Sequence, residues 1–157
     1  IGLAYAKYLK PELHVFVNQV FFERLEETVN PELGIDRANQ RAVAKWQKEG
    51  KTQEWIYNRI YGMGKRRLFT DKLQEHGCNR NWQYATITTD MKDGLSIDEA
   101  KKLSKYDEFE LKETAIAEEL ATLRLDKFKV DSYRECKNIS VQAANHVSNF
   151  LNPLLEG

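Results

Sequence analysis

Proline placement is the feature that most limits what this chain can fold into. Its 157 residues hold three prolines, at positions 11, 31 and 153, and eight glycines. Each proline stands where an apolar pattern breaks, and so few breakers in a chain with 31% charged residues favour helices over a turn-rich sandwich. Hydrophobic residues make up 41% of the chain, enough at this length for a real core, which excludes bulk disorder and the collagenous and low-complexity classes. The expectation is an all-α, multi-helix bundle.

Apolar spacing and capping residues outline the elements. Two helical pieces flank Pro11. In the second, to about Thr28, Leu13, Val17, Val20, Phe21 and Leu25 recur at helical intervals. Asn30-Pro31 and Gly34 break the pattern, and Asp36 is placed to cap the next helix, whose stripe of Ala38, Ala42, Val43 and Trp46 ends at Gly50. Thr52 opens a third helix with Trp55, Ile56 and Ile60 on one face. Gly62-Met63-Gly64 is expected to kink or interrupt it, because each glycine costs roughly 1 kcal/mol in a helix. Leu68, Phe69 and Leu73 then lead to Gly77, a C-cap, and to the polar turn Cys78-Asn79-Arg80-Asn81. The segment WQYATITTDM is read as a helix with Trp82, Ala85 and Thr89 on one face. A minor β-hairpin near residues 82–90 is the alternative, given the strand propensity of Tyr84, Thr86, Ile87 and Thr88.

After Asp93-Gly94, Ser96 and Glu99 form a capping box for a short helix to Ser104. Ile116, Leu120, Leu123 and Phe128 mark one face of a helix over 111–128, supported by Glu108 and Lys112 at i, i+4. Ala143, Ala144, Val147, Phe150 and Leu151 mark a last helix from Ser140 that stops at Pro153. Trp46 and Trp55 are expected in the core. The two apolar stripes either pack on each other within one chain or form a homodimer.

The formal charge is zero, from 24 basic and 24 acidic side chains, but it is unevenly spread. Arg41 to Lys72 carries nine basic residues against three acids, while Glu12 to Asp36 carries six acids against Arg24 alone. Asp98 to Asp126 is acidic again, with nine acids against five bases. A basic middle interleaved with Trp46, Trp55, Tyr57 and Tyr61 suits a phosphate-facing surface, with Arg59, Lys65, Arg66, Arg67, Lys72 and Arg80 as the candidate nucleic-acid contacts. The competing reading is a solvated face whose charges pair with the acidic helices. Residues 66–91 also invite comparison with a helix-turn-helix that would bring Asn81, Gln83 and Tyr84 to a groove. Gln83 stands where that motif wants a buried aliphatic, so a plain helical hairpin is favoured.

Catalytic and metal constellations are thin. His14, His76 and His146 lack a second ligand at i+3 or i+4, and Glu23, Glu26 and Glu27, like Glu110 and Glu113, lack a Glu-x-x-His partner. No GxSxG, P-loop or GxGxxG motif occurs. His76-Gly77-Cys78 sets a base beside a thiol, yet a capped turn accounts for the same residues. Cys78 and Cys136 are the only two cysteines and neither has a second Cys near it, so no CxxC site or disulfide framework is available. No catalytic role, metal or cofactor is expected. Apolar runs as short as Val20-Phe21-Phe22 exclude a membrane span, and the opening IGLAYAKYL has neither a basic n-region nor a cleavage site. A reduced, cytoplasmic location is expected, and the absent Met points to a fragment of something longer.

The opening IGLAYAKYLKPELHVFVNQVFFERL resembles the closing part of KilA-N or BRO-type domains of phage and large DNA virus proteins. The stretch RAVAKWQKEGKTQEWIYNRIYGMGKRRLFTDKLQEHGC is similar to the region that follows such modules in prophage proteins. The resemblance covers about 25 and about 40 residues. It implies a DNA-associated regulatory protein in a bacterium or an infected host cell, with residues 1–33 as the closing helices of the DNA-binding module and residues 36–157 as a helical C-terminal domain. The partner it implies is DNA; the apolar stripes add a second copy of the chain as an alternative, and the runner-up reading is a module that binds a host or phage protein regulator. The family's DNA-contacting residues lie outside the matched stretches and are not carried over.

Overall fold

The computed structural model describes residues 10–155. It is all-helical, with no strand among the described residues. The helical piece expected before Pro11 lies outside them. The chain forms two compact units that part between Lys51 and Thr52. The expected division between residues 1–33 and 36–157 falls inside the first unit, near the junction of its two helices.

In that unit, α1 (Pro11–Val29) and α2 (Pro31–Lys48) form a helical hairpin. Both begin with proline in the first turn, where its missing N–H costs nothing. The Asn30 side chain accepts the Glu32 amide, so Asn30 caps α2 rather than Asp36, and Gly34 lies within that helix. The hairpin is tied by Arg37, which donates to the Glu23 carbonyl at 3.0 Å and pairs with Glu26 at 2.5 Å and Glu27 at 3.6 Å. No residue of either helix is buried. Val15, Phe16, Phe22, Val29 and Ile35 are each at least 59% exposed, and Trp46, expected in a core, is half-buried.

The second unit is a bundle of α3 (Gln53–Glu75), α4 (Asn81–Gly94), α5 (Glu108–Phe128) and α6 (Tyr133–Leu155), with one 3-10 turn at Leu103–Lys105. The close helix pairs are α3–α5, α5–α6 and α4–α6. Cross-links give their direction. Asn58 reaches the Glu108 carbonyl, Arg66 pairs with Glu118 and Lys72 with Asp126, so α3 and α5 run parallel. Trp82 stacks edge-on against Tyr133, and Asp90 pairs with Lys137, so α4 and α6 are also parallel. Phe69, Leu73, Ile56, Ile87 and Leu125 are the largest fully buried apolar side chains. Trp55 is buried as expected and donates its indole N–H to the Tyr106 carbonyl at 2.7 Å.

Several expectations are corrected. Residues 82–90 are helix, not a hairpin of strands, and the buried face is Gln83, Ile87 and Met91 rather than Trp82, Ala85 and Thr89. The Thr86 and Thr88 hydroxyls donate to carbonyls four residues back, which satisfies them inside a helix despite their strand propensity. Gln83 faces no groove. Its side-chain oxygen accepts the Asn79 and Arg80 amides at 2.9 Å each and closes the turn into α4.

The Gly62-Met63-Gly64 step does not interrupt α3, and Gly62 lies where α3 approaches Ala115 of α5. Ser96 to Ser104 is not a helix. Leu95 and Ile97 are both buried with exposed Ser96 between them, and Ser96 takes a left-handed conformation (φ 59°) that helical spacing cannot supply. On α5 the buried apolar positions are Leu111, Ala115, Ala117, Ala121 and Leu125, whereas Leu123 and Phe128 are exposed, because α5 is pressed between α3 and α6 and small residues serve both contacts. Glu108 accepts the Thr52 hydroxyl rather than pairing with Lys112. Helix α6 starts at Tyr133, after Ser132, whose hydroxyl accepts the Glu135 amide and donates to the Glu135 carboxylate, and carries Pro153 in its last turn instead of stopping there. Gly77 does end α3, with φ 95°.

Candidate functional site

Of the six candidate cations, three are engaged by acids of α5. Lys65 pairs with Glu119 at 2.5 Å, Arg66 with Glu118 at 2.9 Å, and Lys72 with Asp126 at 3.0 Å as well as with Glu75. These contacts hold the Lys65 and Lys72 ammonium groups above their ordinary values and the carboxyls of Glu119 and Asp126 below theirs. Arg67 and Arg80 are exposed and form no ion pair among the described residues. Arg59 is half-buried and also forms none.

Arg59 and Arg66 share a cavity of about 290 Å³ where α3 and α4 stand apart. Its walls come from α3, α4, α5 and the segment between α4 and α5, with Met91, Leu95, Leu103, Leu111 and Ala115 as the apolar lining. Into it come Arg59, Arg66, Thr88, Lys92, Thr114 and Glu118. Arg66 is already engaged: one terminal guanidinium nitrogen reaches Glu118 and the other the Thr88 hydroxyl at 2.6 Å. Lys92 donates to the carbonyls of Glu99 and Lys101, each at 3.1 Å.

Burial pushes the Glu118 carboxyl up, with Arg66 and then Arg59 pulling it back. Burial lowers Arg59 below the ordinary arginine value, against the field of Glu118. Thr114 keeps its buried hydroxyl without a partner. Tyr106, also buried and pushed up to about 12 by burial and by Glu110 and Glu118, stays a neutral phenol.

No protein-family model matches this chain, and no curated protein matches it either.

The other groups singled out by sequence are accounted for structurally. The His76 ring contacts the Val130 carbonyl and Asp126, so it is not aimed at a nucleophile. Cys78 and Cys136 meet in the core as free thiols, and Cys136 donates to the His76 carbonyl at 3.2 Å. Burial pushes Cys78 up and Cys136 up to about 12, which keeps both protonated and poor nucleophiles. Among the described residues no group of three or more His, Cys, Asp or Glu side chains is placed to hold a metal, and no helix is long and apolar enough to cross a membrane.

Sequence reasoning missed Thr114 and Glu118, and weighed Glu113 only as a metal carboxylate before setting it aside as a solvated face. Glu113 is 2% exposed, has one carboxyl oxygen without a partner, and is pushed up to about 7 by burial, then by Glu110 and Asp107. A buried acid on a charge-rich helix carries no signal in the sequence, since it looks like any solvated glutamate.

Proposed function

We propose that this chain is the helical C-terminal part of a KilA-N/BRO-type, DNA-associated regulatory protein, with no catalytic role of its own. In this reading α1 seats against the rest of the DNA-binding module, and the bundle beginning at Thr52 carries regulatory contacts. One observation supports it above the others. Helix α1 presents Val15, Phe16, Phe22 and Val29 to solvent and has no fully buried residue, and a helix apolar on several sides needs a cover. The closing helix of a larger module has this character, and the resemblance to such modules falls on the same residues.

The basic row of α3 supports a narrower nucleic-acid role than charge alone suggests. With Lys65, Arg66 and Lys72 held by α5, Arg67 and Arg80 are the two candidate cations that are exposed and outside any ion pair among the described residues. The runner-up is a protein-interaction module, in which the same apolar face of α1 receives a host or phage regulator.

The test begins with the reading frame upstream of the Ile1 codon, where the proposal requires a DNA-binding module in frame; a stop codon there refutes it. Duplex DNA titrations of the longer protein, with Phe16→Asp and Phe22→Asp, should then show binding weakened by about tenfold or more. Unchanged DNA binding in both variants would leave α1 to the protein-interaction reading. Arg67→Ala with Arg80→Ala should flatten the salt dependence by roughly 0.9 for each phosphate interaction removed, for any duplex sequence.

A further inference from the structure

We propose that the cavity between α3, α4 and α5 is a binding site for a small organic monoanion, a carboxylate with a short apolar tail. Its volume of about 290 Å³ is at the lower end for small-molecule sites, so the ligand is small. Most of the wall is apolar, which suits an aliphatic tail, and the absence of a side chain at Gly62 leaves part of the α3 wall open.

The polar groups decide the charge of the ligand. Arg59 and Arg66 from α3 and Lys92 from α4 outnumber Glu118, the one carboxylate of the lining. Arg66 and Lys92 already hold partners in Glu118, Thr88 and two carbonyls. Arg59 does not. It stands half-buried with no ion pair among the described residues, and a guanidinium drawn out of water without a partner is stabilised by an anion brought to it.

Thr114, a lining residue on α5, has a buried hydroxyl with no hydrogen bond, a second unused donor of the lining. A carboxylate accepts from both types of donor. A doubly charged, strongly hydrated anion such as phosphate is disfavoured by the apolar lining, and a cation by the three basic groups. The inference is independent of what covers α1, so it stands or falls without the nucleic-acid reading.

The chain's two methionines make the test direct. Met91 lines the cavity, while Met63 is 49% exposed and outside it. With both methyls labelled with carbon-13, hexanoate titrated to about 10 mM should shift the Met91 resonance saturably and leave Met63 in place. Hexanol, hexylammonium and inorganic phosphate should bind at least about tenfold more weakly, and Arg59→Gln should erase the preference for hexanoate over hexanol. Thr114→Val, which removes an unpaired hydroxyl at constant shape and so keeps the fold, should weaken hexanoate more than hexanol. The proposal is overturned by equal affinity for hexanoate and hexanol, by a Met91 resonance that does not move, by parallel shifts at Met63, or by a preference that survives in folded Arg59→Gln. Should Arg59→Gln not fold, the wild-type ligand series together with Thr114→Val decides.

Discussion

Replacing Glu113 by Gln should stabilise the protein at pH 8 relative to its effect at pH 4, and the size of the change follows from the carboxyl's surroundings. Glu113 is 2% exposed, lacks a partner for one oxygen and faces the fields of Glu110 and Asp107, which together raise it from 4.5 to about 7. The folded state therefore prefers the protonated acid. That stability is fully present below the unfolded value and is lost as pH rises through the folded one. Across that interval, at about 1.4 kcal/mol per pH unit, the loss comes to about 3 kcal/mol. Gln stays neutral throughout and loses nothing. Urea unfolding of wild type and Glu113→Gln, followed by tryptophan fluorescence from about pH 4 to about pH 8, yields the difference in stability at each pH. The constant offset between the two proteins is not at issue, only its change with pH. A difference that stays flat over this range would show that Glu113 is ionised and accommodated in the fold, and would refute the reasoning.

Trp55→Ala should cost roughly 3–5 kcal/mol, since it empties a core position and orphans the Tyr106 carbonyl, whereas Trp46→Ala, at a half-buried position, should cost on the order of 1 kcal/mol; urea midpoints compare them. Gly77→Ala should destabilise by about 2 kcal/mol or more in the same assay, because φ is 95° and the added Cβ would come within 2.6 Å of the Asp131 carbonyl oxygen. Cys78 and Cys136 should be inert to Ellman's reagent in the native protein and react on unfolding; rapid native reaction would show that the thiols are not buried as a pair.

What the sequence discloses depends on whether a residue answers to its neighbours in the chain or to another helix. Thr52 as a cap, Gly77 as a stop and the helical run after Pro11 are local devices, and each is legible. The buried face of α5 is not, because α3 and α6 compress it from two sides and make Ala117 and Ala121 more buried than Leu123. The segment after Gly94 offers a capping pattern, yet burial of Leu95 and Ile97 on either side of Ser96 overrides it. The basic block of 41–72 is visible in composition, but its neutralisation is not, since Arg66 and Glu118 lie 52 residues apart in sequence. For the same reason the cavity is invisible beforehand: Arg59, Thr88 and Thr114 belong to three different helices.

The parallel pairing of α3 with α5 also makes the charge of this face a report on how much of the chain has folded. Lys65 and Arg66 meet their carboxylates, and Lys72 its second one beyond Glu75, only after the polypeptide has passed through α4, crossed back along the bundle and laid down the second half of α5. Until then α3 is a bare cationic helix that attracts polyanions indiscriminately. A chain cut short after Gly94 would keep that stickiness for good, and the intact protein sheds it in the act of completing its bundle.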